Sequence, residues 1–476
     1  MNTFNKKSLY VAMAGLSALG VTGAAQAVTL NADGLGQVLI YPYYTVREQA
    51  AGATFNSLLS VVNSTASAKA VKVRFLEGKF SREVLDFNLY LSPKDVWTAA
   101  IVPTATSAGV FTADKSCTQP TVSSSGTAPT EFVNFGYTGT NADGADTSLD
   151  RTREGYVEII EMGNVIGTVA TGVTHVSGVP PACPSASAVL VSGTDIVPGN
   201  GGLFGGMTLV NVPAGEDFTE DAVALDFFSQ TTLWTTAGDT NPTLANVNPK
   251  ISVVTTGNTT YASLWPVGQA DPVSAVLMHN NVYNEFVLDA VTKSGTDWVV
   301  TMPTKRNYYS GTQVINLFQR NFTATGACDD VLLTQYDREE RTVASQTSFS
   351  PPPPTNTDSL CWEANVITFN NSNVLGSKNQ ANVTSGFANG WVTLNFPLIA
   401  TATPPRHVLV AGTTNTVTIS PATGAVTAGQ VAFTTYNGLP VVGFMVQTFV
   451  NGALGTPPIL SNYGGNFIHK YTRSIQ

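Results

Sequence analysis

The residues able to do chemistry in this chain are few and scattered. His175, His279, His407 and His469 occur singly, and no H-E-x-x-H pair sets two of them on one helix face, so a metalloprotease of that type has no support. No G-x-S-x-G elbow presents a serine nucleophile, which removes the commonest esterase architecture. The run Gly199-Asn200-Gly201-Gly202-Leu203-Phe204-Gly205-Gly206 has the glycines of a phosphate cradle but lacks the following Lys-Ser/Thr and the dinucleotide spacing. Paired carboxylates need no motif, because folding alone can bring two acids across a sugar. Asp86, Asp95, Glu158 and Glu161, on or beside expected strands, are the candidates for such a pair, and Tyr41, Tyr43, Tyr44, Tyr308 and Tyr309 for stacking on its rings. Nothing in the pattern raises these acids above others, and tyrosines alternating along strands more often pack across them. No catalytic, cofactor-binding or metal-ligating residue is therefore assigned, and no cofactor is expected.

Hard oxygen ligands do gather at Asn141, Asp143, Asp146 and Asp150, the kind of set that calcium takes from a flexible loop. The spacing fails the EF-hand pattern, having no closing Glu and its glycine too early, and Asp-Gly is a frequent turn dipeptide. A plain loop is expected. Asp337-Arg338-Glu339-Glu340-Arg341 is expected as a solvated turn with weakly coupled ion pairs, each worth under about 1 kcal/mol.

The elements carrying these residues read at period two. Leu85, Phe87, Leu89 and Leu91 fall on one face of a strand, and Val71, Val73 and Phe75 alternate with Lys72 and Arg74. With 54–62 and 96–102 they make consecutive strands joined by turns such as Glu77-Gly78, a pattern that suits an immunoglobulin-like sandwich. Val38 to Tyr44 contains Pro42, which cannot donate to a central ladder, so this strand is expected at an edge or a bulge. From 103 to 205 the chain turns to Ser, Thr, Gly, Pro and Ala around one strong strand, Tyr156 to Met162, and reads as an insertion. One helix is expected, capped by Asp271, with Pro272 in its first turn and an end near Glu285. Trp298 to Met302 and 392–396 alternate again, Pro351 to Pro354 reads as a stiff polyproline spacer, and Asn437-Gly438 is the strongest hairpin signal.

Lys6 and Lys7, an apolar run from Leu9 to Val21 and the small-x-small end Ala25-Gln26-Ala27 make a secretory signal over residues 1–27. After its removal no window is long and apolar enough for a transmembrane helix. Export favours disulfides over thiols or zinc. Four cysteines permit three pairings, and Cys117 with Cys183 and Cys328 with Cys361 is the expected one, since each pair would bracket an excursion poor in apolar residues. Such loops are worth roughly 4 kcal/mol each in the chain-entropy model. Only 12% of the residues are charged, and 23 Lys plus Arg against 32 Asp plus Glu leave a net charge of −9. That balance opposes a role on phosphates, so nucleic acid is excluded as a partner.

Three stretches are distinctive as a set: Gly34 to Tyr44 (GLGQVLIYPYY), Val73 to Gly78 leading to Val84 to Asn88, and Trp298 to Arg306 (WVVTMPTKR). Together with Cys361 to Phe369 and Gly386 to Phe396, they resemble an uncharacterised family of secreted or cell-surface proteins of Gram-negative bacteria. The resemblance implies a surface or envelope location and brings no catalytic residues. The expectation is a mostly β protein of antiparallel immunoglobulin-like sandwich units with long disulfide-tethered loops and one short helix. Residues 28–205 would form an N-terminal sandwich with its insertion and 206–476 a C-terminal β-rich domain. The expected role is structural or adhesive, without catalysis, at the cell surface, in the periplasm or outside the cell. Its partners would be copies of itself or other envelope components, meeting strand edges near Val38 to Tyr44 or Val441 to Val450. The alternative is a secreted carbohydrate-binding or glycoside-hydrolysing protein.

Overall fold

The computed structural model describes residues 26–476 except 125–126, 186, 345–357 and 424; the leader at 1–25 and the Pro351 to Pro354 spacer lie outside the described residues. Strands hold 48% of the chain and helices 8%, so the expected β class is found. Two disulfides, Cys117–Cys183 and Cys328–Cys361, close the loops that the residue pattern marked as poor in core.

A large sheet runs in the order Glu83–Leu91, Lys69–Glu77, Glu154–Val165, Val38–Thr45, Val223–Asp226, and then outward to Thr413–Ile419 and Val426–Ala432. A smaller sheet, ordered Ala108–Phe111, Val96–Pro103, Asn56–Asn63, Gly206–Asn211 and Glu216–Asp221, covers one face. Between them Leu39, Tyr41, Val71, Val73 and Phe75 meet Leu59, Val61, Trp97, Ile101 and Leu209 in one continuous core. Residues 206–226 thus lend three strands to the sheets of the first unit, where the pattern of the sequence had placed them in the second.

A second sandwich packs Asp329–Asp337, Asn389–Asn395 and Asn281–Val287 against Ala364–Phe369, Gly295–Thr301 and Phe444–Phe449. Phe286, Trp298, Leu333, Ile367, Phe369 and Leu394 fill it, with Phe286 and Phe369 stacked at 5.2 Å. The inner sheet of this sandwich is buried on its other face as well. Val299, Val366, Phe444 and Val446 join the core of the first unit, and Thr301 Oγ1 donates to the Pro42 carbonyl at 2.7 Å.

This double coverage corrects several expectations. The Val38–Thr45 strand is central and buried along its length; Pro42 is accommodated because the register against Glu154–Val165 shifts between Gly155 and Val157, leaving a bulge opposite Tyr156. The 444–449 strand is likewise paired on both sides, so neither proposed edge is free. One end strand of the large sheet is Val426–Ala432, exposed along nearly its whole length. Lys72 and Arg74, expected in solvent, are buried because loop 227–250 and the second unit cover that face.

The helix spans Asp271–Leu277, with Ala270 at the cap position and Asp271 already in the first turn. It stops before Glu285 because Met278 and His279 pair with Leu439–Pro440 and residues from Asn281 join two strands. Val282 and Phe286 fit a helical stripe as well as a strand, and tertiary pairing decides between them. A second helix, Gly167–Val173, lies in the insertion. No hairpin forms at Asn437-Gly438. The flanking strands pair elsewhere, and Gly438 is required because a Cβ there would lie 1.9 Å from the His279 carbonyl oxygen.

Candidate functional site

Every acid considered for catalysis is engaged inside the fold. Asp86 pairs with Lys72 at 2.9 Å, Glu158 with Arg74, and Glu161 with Lys69 at 2.5 Å. Asp95 accepts hydrogen bonds from Ser92 N and Ser116 Oγ and faces His175 at 3.6 Å. Glu158 and Glu161 are buried, and neither lines the groove described below. The five tyrosines proposed for stacking are all buried: Tyr41, Tyr43 and Tyr44 lie in the first core, and Tyr308 and Tyr309 near the second.

The oxygen-rich loop is neutralised by arginine. Arg151 grips the Asp143 carboxylate at 3.0 and 2.7 Å while also holding Glu77, and Asp150 faces Arg47 at 2.7 Å and Lys378 at 2.9 Å. Such a loop offers a cation few uncommitted ligands. Among the described residues no three His, Cys, Asp or Glu side chains converge as a metal would require. The 337–341 cluster is a turn in which the Asp337 carboxylate accepts from Glu339 N and Arg341 N and pairs with the Arg341 guanidinium. Burial holds His469 at about 4 and therefore neutral, and it likewise lowers His279.

An open groove lies where three sheets meet. With a volume of about 640 Å³, it runs between the Glu216–Asp221 edge strand, the Tyr463–Ile468 strand, and the outer face of Asn281–Val287 and Asn389–Asn395. Its size falls in the usual range for small-ligand sites, roughly 300–1,000 Å³. Alternation explains the aromatic side. Val392 and Leu394 point into the core, so Trp391 must point out, and it is 41% exposed. Cross-strand pairing sets Glu285 and Tyr336 on either side of it. The Tyr336 ring stacks on Trp391 at 4.3 Å with an 11° tilt, and Tyr283 lies 6.4 Å away, so the indole is held flat.

The opposite wall is polar. Asn466 bridges the two units by donating from Nδ2 to Glu220 Oε2 at 3.0 Å and accepting at Oδ1 from Thr219 N at 3.3 Å. Asn284 Nδ2 donates to the Phe467 carbonyl at 2.9 Å, fixing the floor. Burial raises the Glu220 carboxyl to about 7, against the hydrogen bond from Asn466 and with the help of the Asp221 charge. Asp221, Glu285 and Lys470 complete the charged rim. A rigid indole face opposite amides, carboxyls and an ammonium suits a ligand with both flat C–H surfaces and many hydroxyls.

Neither Trp391 nor Glu220 was singled out from the sequence. The signal for Trp391 was present, since the phase set by Val392 and Leu394 puts an indole on the wrong side for a core. Glu220 had no such mark, because its raised carboxyl depends on strands more than two hundred residues further along. No family model matches the chain, and neither does any curated protein or solved structure.

Proposed function

We propose that this is an exported surface or envelope protein with an adhesive role, and that it binds carbohydrate in the groove between its two sandwiches. The observation that carries the reading is the exposed Trp391 indole, held flat by Tyr336 and lining the same groove as Glu220 and Asn466. The rest of the fold supports a static binding body: two disulfides brace the loops, and the acids considered for catalysis are locked in ion pairs or turns. Among the described residues no helix is long and apolar enough to cross a membrane, and disulfides fit an oxidising compartment. A glycan array with the mature protein tests the proposal. Saturable binding of a defined glycan class that Trp391→Ala removes supports it, whereas an array without saturable binding refutes it.

One observation favours glycoside hydrolysis as a second reading. A carboxyl near 7 at the side of a groove has the protonation state of a general acid, and Asp221 and Glu285 provide carboxylates on the same rim. Incubation of any bound glycan followed by analysis of its reducing ends separates the two readings, because an adhesin returns the glycan intact.

A further inference from the structure

In the first sandwich a lysine, a glutamate and an asparagine, none of which lines the groove, meet in a buried corner. Lys69 begins one strand of the large sheet, and Glu161 and Asn164 lie on its antiparallel neighbour. Residues three apart on a regular strand point to opposite faces. Here a register shift between Glu161 and Gly163 inserts one extra residue and returns Asn164 to the face of Glu161, directly opposite Lys69. Gly163 makes this possible: its φ is 152°, and a Cβ there would meet the Val197 carbonyl oxygen at 2.5 Å.

All three side chains are at least nine-tenths buried. The Lys69 ammonium touches Glu161 Oε1 at 2.5 Å, Asn164 Oδ1 at 3.0 Å and Asn200 Oδ1 at 2.5 Å. Glu161 is held from behind by Gly201 N at 2.9 Å and Asn200 N at 3.3 Å. The Asn164 amide nitrogen is turned the other way, donating to the Pro198 carbonyl at 3.2 Å. An ion pair alone would need only the lysine and the glutamate. The amide carbon of Asn164 lies one bond beyond an oxygen that the amine already touches.

We propose that Lys69 and Asn164 join in an intramolecular isopeptide bond, with Glu161 as the proton carrier. In this low-dielectric corner the Lys69 ammonium passes one proton to Glu161, exchanging an ion pair for a neutral pair. Burial raises the Glu161 carboxyl, which favours that transfer. The freed lone pair on Nζ attacks Asn164 Cγ, forming the new C–N bond. The Nζ proton shed by the adduct moves by way of Glu161 to the former amide nitrogen. That nitrogen leaves with the electrons of its C–N bond as ammonia. Ammonia then takes the remaining proton and departs as ammonium, returning Glu161 to its carboxylate. No oxidant, reductant or co-reactant is needed. The product ties neighbouring strands of the central sheet covalently at the end nearest the glycine-rich loop, a brace against pulling that suits an adhesive body and does not depend on what the groove binds.

Intact-mass measurement of the folded, exported chain under denaturing conditions tests this directly. The expected mass is lower than the sequence mass by one ammonia, beyond the hydrogens lost to the two disulfides. Peptide mapping should find the peptide containing Lys69 joined to the one containing Asn164, which separates the bond from ammonia loss elsewhere. Lys69→Arg keeps the positive charge but removes the nucleophile and should restore the lost mass, as should Glu161→Gln; Asn200→Ala should still lose ammonia. A wild-type chain of full mass with free Lys69 overturns the proposal, and so does a bond mapped to Asn200. Should the variants fail to fold, the wild-type mass and linked peptide decide alone.

Discussion

Glu158 and Glu220 are both strand glutamates whose carboxyls burial pushes upward, and they end in opposite circumstances. Glu158 lies inside the first unit against the Arg74 guanidinium, which opposes the shift. Glu220 lies on an edge strand, half-buried, with a neutral amide from Asn466 as its nearest partner. The comparison teaches that burial alone does not make an acid available for chemistry. A cation as partner turns it into structure, whereas an amide beside open space leaves it free to titrate and to meet a ligand. Breaking the two regions should therefore have separable consequences.

The largest effect is expected in the closed region. Arg151 bridges Glu77 and Asp143 with all three side chains fully buried. Arg151→Met leaves the Glu77 carboxylate without the Arg151 cation and Asp143 with only Arg82 at 3.6 Å, and loss of one partner from such a buried cluster typically costs about 3–5 kcal/mol. Chemical denaturation should show a loss of that order, and a loss under about 1 kcal/mol would mean that the cluster is hydrated rather than closed. Glycan binding by the remaining folded protein should not change.

In the open region the order is reversed. Trp391→Ala removes an exposed indole, so the melting temperature should move little. Aromatic anchors of this type are commonly worth roughly 2 kcal/mol in binding, which is about thirtyfold in affinity. Titration of the glycan selected by the array measures it. Equal affinity in the variant would place the ligand away from the indole.

The contrast also explains what could be read in the residue order. Period-two alternation located most strands, and the Gly/Pro/Ser/Thr-rich texture between Cys117 and Cys183 and between Cys328 and Cys361 marked the disulfide loops, although each also carries a core strand. Alternation reports only that a strand has two faces, not what covers them. Lys72 and Arg74 therefore read as solvated although a second layer buries them, and Pro42 could sit in a central strand because a bulge absorbs its missing donor. The groove was unreadable for the same reason: Glu220, Trp391 and Asn466 belong to three sheets and become neighbours only when those edges converge.

Glu363 sharpens the comparison as an intermediate case. It is fully buried like Glu158, yet neither carboxyl oxygen has a hydrogen-bond partner among the described residues. Burial therefore raises its carboxyl well above the ordinary value of 4.5, with Lys305 opposing from a distance. A group with a raised folded-state value contributes stability that is complete below the unfolded value and is lost as pH climbs towards the folded one. Wild-type stability should accordingly fall relative to Glu363→Gln from about pH 4.5 upward, by at most about 1.4 kcal/mol per pH unit. Denaturation midpoints of the two proteins across pH 4 to 8 measure the difference, and parallel curves would show that Glu363 is solvated.

The smallest effect is expected from Glu220, and it bears most directly on the groove. With its carboxyl at about 7, Glu220 is half protonated near neutrality. The protonated form can donate a hydrogen bond to a sugar hydroxyl, whereas the carboxylate can only accept one. Because Asn466 already donates to Oε2, the remaining oxygen is the one a ligand can address. Exchange of one such bond is worth about 1 kcal/mol, so affinity should change by only several-fold as pH passes through about 7. Glu220→Gln keeps a donor and an acceptor at every pH and should flatten the profile. A ligand that is hydrolysed would show a steeper signature in the wild type, with turnover falling above about 7 as the acid form disappears and absent at all pH values in the variant. A flat wild-type profile for both binding and turnover would instead assign Glu220 to holding the two sandwiches together through Asn466.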